Sequence, residues 1–512
     1  MTNRDVAATW QYHDGTKHSI QSVRANRHML DWSNQPIPYK IYTSLPPLPL
    51  PADFVPSALS ALDAIAATGA EPSGPRVPDL AAIARLCYFS NGITKVLRFP
   101  GGEMPFRAAA CTGALFHIEH YLICGALPDL PAGVYHYAAH DHALRRLRDG
   151  DYRAVLVAAS GGESALAAAP AVLAQTTTYW RNAWKYQARA YRHAYWDDGT
   201  VLANLLAVAA GSDLPTRVVL GFADDAVNRL LDVDPAHEAA ISLVAVGRGG
   251  AAAPPAPAVT SLGLPTERLS AHPIDYPAIR AMHAASSLAC GEEAAAWRGP
   301  APRAPFPPAA GPVVPLEPLA AAALPTDPIE TVIRRRGSTR RFTREPIGYA
   351  QLSTLLDRST RGYAADYRAP GPALTDLYLI VNAVDGLEAG TYVLRRDERA
   401  LERLAAGDFR DQAGMLDLGQ ELGADAAVNC YWLTDLGPLL ARYGNRGYRA
   451  AQLDAAIEAG KVYLACYALR LGATGLTFFD DDVTAFFAPH AAGKSVLFLM
   501  ALGRPLRRRT AP

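Results

Sequence analysis

Lys185-Tyr186-Gln187-Ala188-Arg189-Ala190-Tyr191-Arg192 returns later in the chain as Arg442-Tyr443-Gly444-Asn445-Arg446-Gly447-Tyr448-Arg449. Tyr186 and Tyr443 stand 257 residues apart, and so do Tyr135 and Tyr392. Further pairs keep the same order. Ala114-Leu115 and the apolar run behind it are echoed by Ala373-Leu374, Ala132-Gly133-Val134-Tyr135 by Ala389-Gly390-Thr391-Tyr392, Ala143-Leu144-Arg145-Arg146-Leu147 by Ala400-Leu401-Glu402-Arg403-Leu404, and Gly150-Asp151-Tyr152-Arg153 by Gly407-Asp408-Phe409-Arg410. Collinear matches at a constant offset mark a tandem duplication whose period is a whole domain rather than a solenoid unit. Two such copies pack as a homodimer would, about a pseudo-two-fold axis, and a site between them draws on both.

Length and composition agree. A chain of 512 residues exceeds one ordinary core. It is 50% hydrophobic and 19% charged, which suits a folded rather than a disordered chain. Lys+Arg and Asp+Glu are both 49, so no net basic field points to nucleic acid or an anionic membrane. The cluster Arg507-Arg508-Arg509 reads as a solvated terminus. The six cysteines form no CxxC pair and no Cys/His pattern with metal-ligand spacing; they read as buried thiols in a reducing, cytoplasmic setting. The polar start Met1-Thr2-Asn3-Arg4-Asp5 is not followed by the apolar core of a signal peptide, and no apolar run is long enough to span a bilayer.

The expected organisation has four parts. Residues 1–78 read as an extended N-terminal arm, because Leu45-Pro46-Pro47-Leu48-Pro49-Leu50-Pro51 excludes helix interiors and central strands. Residues 79–250 read as a first α+β domain, with a helix from Leu80 to Tyr88, strands at His120–Cys124, Gly133–Tyr137 and Ser242–Val246, and a buried helix from Thr200 to Ala210. Residues 251–325 are an Ala/Pro-rich linker with one ordered piece around Ala278–Ala285, and residues 326–508 are the second copy.

The stretch Tyr179 to Arg192 also carries the chemistry. Lys185 and Tyr186 are flanked by Trp180, Trp184 and Tyr191, with Arg181, Arg189 and Arg192 adding charge. Burial and nearby cations lower a lysine pKa, and cations lower that of a tyrosine, which makes proton-transfer groups near neutral pH. The alternative is a packed helix and turn with snorkelling basic side chains. At the start of the second copy, Arg336-Gly337-Ser338-Thr339-Arg340 places two guanidinium groups and a hydroxyl around one point, a spacing suited to phosphate or to a solvated helix end. Arg504, after the last strand, is a further phosphate candidate. Asp480-Asp481-Asp482 reads as a cap or turn rather than a metal cluster, and His117 and His120 as surface residues at a strand start.

In this context Arg336-Gly337-Ser338-Thr339-Arg340-Arg341-Phe342 resembles the FMN-binding start of the nitroreductase superfamily. Arg107-Ala108-Ala109-Ala110-Cys111-Thr112-Gly113-Ala114-Leu115 resembles its flavin loop, usually Pro-Ser-x-Gly-Ala-Leu, and Trp180 through Arg192 is similar to the SagB/ThcOx-type dehydrogenase branch. The resemblance implies two nitroreductase-like α+β domains, antiparallel or mixed sheets flanked by helices, forming an intrachain pseudo-dimer for which a monomer is one open state of assembly. It implies FMN held by Arg336, Ser338, Arg340, Arg107, Cys111, Thr112, Gly113 and Arg504, with Lys185 and Tyr186 as the catalytic pair. The implied activity is dehydrogenation of a peptide-derived substrate, for instance azoline to azole, beside a cyclodehydratase-type partner. The rivals are a nitro- or quinone-type reductase fed by a nicotinamide, and a flavin-free partner subunit.

The departures from the family pattern fall unevenly. Cys111 stands where serine is usual, either as a thiol contact to flavin or as a packed thiol. In the second copy Arg442 replaces the lysine and cannot act as a base near neutral pH, and the loop from Arg368 to Leu374 is shortened. The first copy has no Arg-x-Ser-x-Arg; Thr16-Lys17-His18-Ser19 is a poor substitute. Each intact motif therefore occurs in one half only, which predicts a single composite site and a degenerate second one.

Overall fold

The computed structural model describes residues 2–69, 74–100, 102–249, 251–301, 306–368 and 373–506. The first copy contributes β1 (Pro47–Pro49), a separate hairpin of β2 (Ile93–Phe99) and β3 (Gly102–Arg107), then β4 (Ile118–Cys124), β5 (Gly133–Ala138), β6 (Ala143–Asp149), β7 (Ala171–Thr178), β8 (Thr216–Val219) and β9 (Glu238–Val246). The second contributes β10 (Val313–Pro315), β11 (Ile347–Gly348), β12 (Asp376–Val381), β13 (Val384–Asp385), β14 (Gly390–Arg395), β15 (Ala400–Ala406), β16 (Val428–Thr434), β17 (Gly472–Gly475) and β18 (Ser495–Gly503). Apart from the small pairs β2–β3 and β11–β13, these form two seven-stranded sheets, β1-β6-β5-β4-β7-β9-β8 and β10-β15-β14-β12-β16-β18-β17. Neighbours within each are antiparallel.

The two sheets are the same sheet built twice. Register shifts fall at Val134/Tyr135 and Gln175/Thr176 in the first, and at Thr391/Tyr392 and Trp432/Leu433 in the second. Those positions are related by the same offset of 257. Each sheet is buried on both faces. Along β4, Ile118, Leu122 and Cys124 face the large core around the long helices, whereas Tyr121 and Ile123 face a second apolar layer. That alternation is the period-two pattern of a strand.

A long helix, Ala190–Gly211, crosses the first sheet, and its counterpart, Arg446–Ala468, crosses the second. The two helices pack on each other where glycine meets alanine: a Cβ on Gly199 would collide with Ala456, and one on Gly460 with Ala203. In both cases the partners are equivalents at the 257-residue offset, so the pseudo-two-fold axis passes between them. Charge repeats the symmetry. Arg189 Nη1 and Arg192 Nη1 meet Asp480 at 3.0 and 2.6 Å, while Arg446 Nη1 and Arg449 Nη1 meet Asp224 at 2.6 and 2.7 Å. Each copy's arginines thus reach the other copy's carboxylate, as an isologous interface requires. The triple-aspartate segment supplies that buried carboxylate at the start of a helix, Asp480–Phe486, beyond the cap or turn expected of it.

The arm and the linker need correction. Residues expected as an extended arm contain helices Ala7–Gly15, Ile20–Ala25 and Ala61–Ala66, and only Pro47–Pro49 pairs as an edge strand. The linker holds two helices, Pro277–Ala285 and Gly291–Trp297, and the edge strand β10. The reason is again duplication. Arg192 bonds the His13 carbonyl at 2.6 Å and Thr16 Oγ1 at 3.0 Å, and Arg449 bonds the His283 carbonyl at 2.7 Å and Ser286 Oγ at 2.8 Å. The linker is therefore the second copy's arm. The proline-rich composition of both segments hid this, because their order comes from tertiary contacts such as these rather than from local periodicity. The buried helix expected over 200–210 begins ten residues earlier, and the Arg507-Arg508-Arg509 tail lies outside the described residues.

Candidate active site

The helix Tyr179–Tyr186 ends at Gln187, whose φ of 50° turns the chain sharply into the long helix. A non-glycine residue there carries backbone strain; the equivalent Gly444, at φ 66°, carries none. The turn delivers Tyr186 to a cavity of about 240 Å³ between the two units. The first unit contributes Ala110, Cys111, Thr112, Tyr186, His193, Trp196, Asp197 and Thr200 to its walls; the second contributes Ser338, Gln420, Tyr463, Gly475, Leu476, Thr477 and Phe498; the N-terminal segment adds His18.

Asp197, which the sequence reading missed, fixes one wall. Its Oδ1 accepts from Thr112 N at 2.8 Å and Thr112 Oγ1 at 2.7 Å; its Oδ2 accepts from Cys111 Sγ at 3.1 Å and faces His117 Nε2 at 2.7 Å. The helix thereby holds the loop Cys111–Gly113 through one carboxylate. Two signals could have found it: an aspartate inside an apolar helix, and an aspartate, Asp454, at the same offset in the second copy. Cys111 lines the cavity, and its thiol donates to Asp197. Burial, then the neighbouring Asp197, pushes it well above the usual thiol range, so it stays protonated. Cys111, His117 and Asp197 place three ligand-type atoms within 4.8 Å of one another. In this arrangement the carboxylate already takes all three neighbours as hydrogen-bond partners. His117 and His120 are buried, not surface residues; His120 Nε2 lies 2.9 Å from Ser90 Oγ.

Gly113, at φ 66°, lets the loop pass the phenol: a Cβ there would lie 2.8 Å from the Tyr186 oxygen. Tyr186 packs edge-on against His193, with ring centres 4.6 Å apart. The expected lowering of its pKa by cations does not occur. Burial raises it first, and Asp197 and Cys111 raise it further. The arginines of the stretch are spent elsewhere: Arg181 pairs with buried Glu119, and Arg189 and Arg192 with Asp480. Lys185 is half-buried, with Nζ 5.4 Å from the centre of the Tyr186 ring, and does not line the cavity.

The other residues singled out in sequence are only partly brought together. Ser338 lines the cavity, and its Oγ accepts from Tyr463 at 2.8 Å. Arg336 lies with its Cζ 5.6 Å from the Tyr463 ring centre and donates Nη2 to the carbonyls of Arg107 and Ala108 at 3.1 and 2.9 Å. Its Nε is buried with no hydrogen-bond partner. Arg107 is structural, donating to Asn91, Ile118 and Pro38. Arg340 and Arg504 are exposed and outside the cavity; Arg504 Nε bonds the Pro346 carbonyl at 2.8 Å. Of these residues Ser338 lines the cavity, whereas Arg336 lies outside its lining, against the Tyr463 ring.

A profile described as the nitroreductase family matches residues 122–248 and 333–504. The chain belongs to the nitroreductase family. Its two matched segments are the two copies of the duplication. A crystal structure of a nitroreductase-type protein from Anabaena variabilis ATCC 29413 is similar over 98% of this chain and 99% of that one, at 27% identity and a TM-score of 0.77. A nitroreductase-type protein of Methanocaldococcus jannaschii is 23% identical over 184 residues, 35% of this chain and 91% of its own length. One relative thus has the size of a single copy and the other the size of the whole duplication. Family membership makes the chain an oxidoreductase of nitroreductase fold. Among the described residues no helix is long and apolar enough to cross a membrane.

Proposed function

We propose that this chain is an FMN-dependent oxidoreductase with one working site, composed from complementary halves of the duplication. The observation that carries the reading is the inter-unit cavity: Cys111, Thr112 and Tyr186 face Ser338 and Tyr463 across it. The residues present fit the group. Tyr186, Trp196, Tyr463 and Phe498 offer aromatic walls to a planar ring system. The Ser338 hydroxyl, which accepts from Tyr463, keeps its own proton to donate to a phosphate, and Arg336 stands next to the lining against the Tyr463 ring. When bound, FMN supplies the two-electron redox chemistry.

The chain's own residues then position and move protons. Asp197 holds the loop Cys111–Gly113 in place. Tyr186 keeps its proton at neutral pH and serves as a hydrogen-bond or proton donor at the cavity wall. Lys185, whose Nζ lies outside the cavity lining beside the Tyr186 ring, is the base of this proposal and accepts the proton that a substrate carbon releases as hydride leaves. The SagB-type resemblance of the Tyr179–Arg192 stretch supports a peptide-derived substrate, such as an azoline oxidised to an azole with oxygen as electron acceptor, and a cyclodehydratase-type partner.

The test is the visible spectrum of the purified protein, with flavin identified and counted after denaturation. One FMN per chain is expected, with Lys185→Ala keeping the flavin and losing substrate oxidation. A protein that stays colourless after FMN is added would remove the enzyme reading. Two tightly held FMN per chain would remove the single-site part, and steady turnover with NADPH alone would replace the oxidase by a nicotinamide-fed reductase.

A further inference from the structure

Asp197 divides its two oxygens between two tasks. Oδ1 takes both bonds from Thr112, at 2.8 and 2.7 Å, and these alone hold the loop to the helix. Oδ2 faces Cys111 Sγ at 3.1 Å and His117 Nε2 at 2.7 Å. A thiol, an imidazole and a carboxylate oxygen thus gather within 4.8 Å of one another, from the loop, the residue before β4 and the long helix. In the second copy Leu374 stands at the same offset as His117, and Asp454 accepts instead from Tyr363, Arg368 and the Leu374 amide.

Each of the three groups is also held from behind. Phe116 N donates to Cys111 Sγ at 3.1 Å, a bond that favours the thiolate. His117 Nδ1 lies 2.8 Å from Thr177 Oγ1, which fixes the ring and leaves Nε2 toward the other two groups. Asp197 is anchored through Oδ1. Outer hydrogen bonds of this kind orient the ligands of metal centres. Cys111 and Asp197 line the inter-unit cavity, and His117 is buried behind them. An ion therefore has a way in from the cavity, and a fourth ligand position faces it.

The donor set selects the ion. Sulfur, imidazole nitrogen and a carboxylate oxygen together suit zinc, whereas magnesium and calcium take oxygen ligands. With zinc bonds of about 2.0–2.3 Å, tetrahedral ligand atoms stand about 3.3–3.5 Å apart, so the two contacts to Oδ2 open by about half an ångström.

We propose that Cys111, His117 and Asp197 bind a zinc ion at the wall of the inter-unit cavity, with a water in the fourth position. Bonds form from Sγ, Nε2 and Oδ2 to the ion. The thiol proton leaves to the buffer, and the imidazole keeps its one proton on Nδ1, donated to Thr177 Oγ1. Nothing is oxidised or reduced. Asp197 Oδ1 goes on holding Thr112, so the loop keeps its place. This inference goes beyond the proposed oxidoreductase activity and does not depend on it.

The experiment is titration of the full chain with cobalt(II), after metal is stripped with a chelator and with the flavin content left as purified. Cobalt is followed at the red end of the visible spectrum, where oxidised flavin does not absorb. One cobalt per chain with the intense bands of a tetrahedral ion is expected, displaced by one equivalent of zinc and not by excess magnesium. Thr177→Val should weaken zinc about tenfold, as the loss of an outer partner does. Cys111→Ser and His117→Gln, which remove a ligand, should weaken it more. Cys290→Ser, at an exposed cysteine outside the cavity, should bind as the parent does. Circular dichroism of the metal-free variants should match the parent. The proposal is overturned if the parent binds no cobalt or gives the weak bands of an octahedral ion, if magnesium displaces it, if Cys111→Ser and His117→Gln bind as the parent does, or if Cys290→Ser loses the ion.

Discussion

In the first copy Asp197 gathers Cys111, Thr112 and His117 and holds the loop away from β17, whose Gly475 stays open on the cavity wall. In the second copy Asp454 gathers Tyr363, Arg368 and Leu374 N, and the loop closes onto Val218, the counterpart of Gly475. The helix, the carboxylate and its position are the same. Only the loop that the carboxylate holds differs, in length and in the size of its side chains. Scaffold and site thus diverged separately: the fold kept two equivalent positions while the loops decided how each is lined.

The largest expected effect tests whether the two halves remain equivalent in energy. Asp480→Ala strands Arg189 and Arg192, and Asp224→Ala strands Arg446 and Arg449. Each change should cost about 3–5 kcal/mol in denaturant unfolding, because it leaves buried cations unpaired. A marked difference between the two would mean that the symmetric contacts do not carry symmetric stability. Both carboxylates are held at about 2, chiefly by their arginines working against burial. Their folded pKa is depressed, so their stabilisation is present above the ordinary aspartate range and lost as pH falls from about 4 to about 2. Asp480→Asn should lack its share of that acid loss.

Next comes the contrast in chemistry. Tyr186→Phe should lower turnover about a hundredfold or more while flavin content is kept. Tyr443→Phe, at the closed seat, should leave turnover unchanged. Equal losses from the two substitutions would show that the second seat also works.

Each copy also buries ionisable groups that the other lacks, and two of these are shifted toward neutrality. Asp198, where the second copy has Ala455, is raised to about 7 by burial and by Asp197. Lys461, where the first copy has Asn204, is lowered to about 7 by burial and by Arg368. The raised acid stabilises below its unfolded pKa, and that stability is lost as pH rises from about 4 to about 7. The unfolded lysine holds more protons than the folded one between about 7 and about 10, so stability climbs again over that range. Unfolding midpoints measured across pH should therefore dip near neutrality. Asp198→Ala should flatten the acid limb and Lys461→Asn the alkaline limb; a dip unchanged in both variants would refute the assignment.

The smallest effect concerns the turn before each long helix. Gln187→Gly should gain about 1 kcal/mol by relieving a positive φ, less what is lost with the Asn26–Gln187 hydrogen bond. Gly444→Ala should lose more than that, since its Cβ would meet the Asn3 carbonyl. A gain from Gly444→Ala would break the comparison.

Much of this was legible before any coordinates. The 257-residue offset gave two copies, and identical strand orders and bulges follow from it, because period-two burial and turn chemistry are local properties that a duplicated sequence repeats. Ser338, Cys111, Thr112 and Tyr186 were also within reach, since they sit in short motifs. Asp197 was not read, because an aspartate inside a helix shows its role only when the loop it holds is known. The arginines around Lys185 were misread for a related reason. Their type is written in the stretch, but Glu119 lies 62 residues from Arg181, and Asp480 lies 288 from Arg192.

The sequence by itself determined the duplication, the two sheets and the identity of the groups brought to the cavity, since these rest on local periodicity and short motifs. Only the tertiary structure decided which cations are neutralised, that Tyr186 stays protonated, that the linker is the second copy's arm, and that one seat is open while the other is closed. Those outcomes depend on burial and on charges meeting across the pseudo-two-fold, and distance in space is not written in distance along the chain.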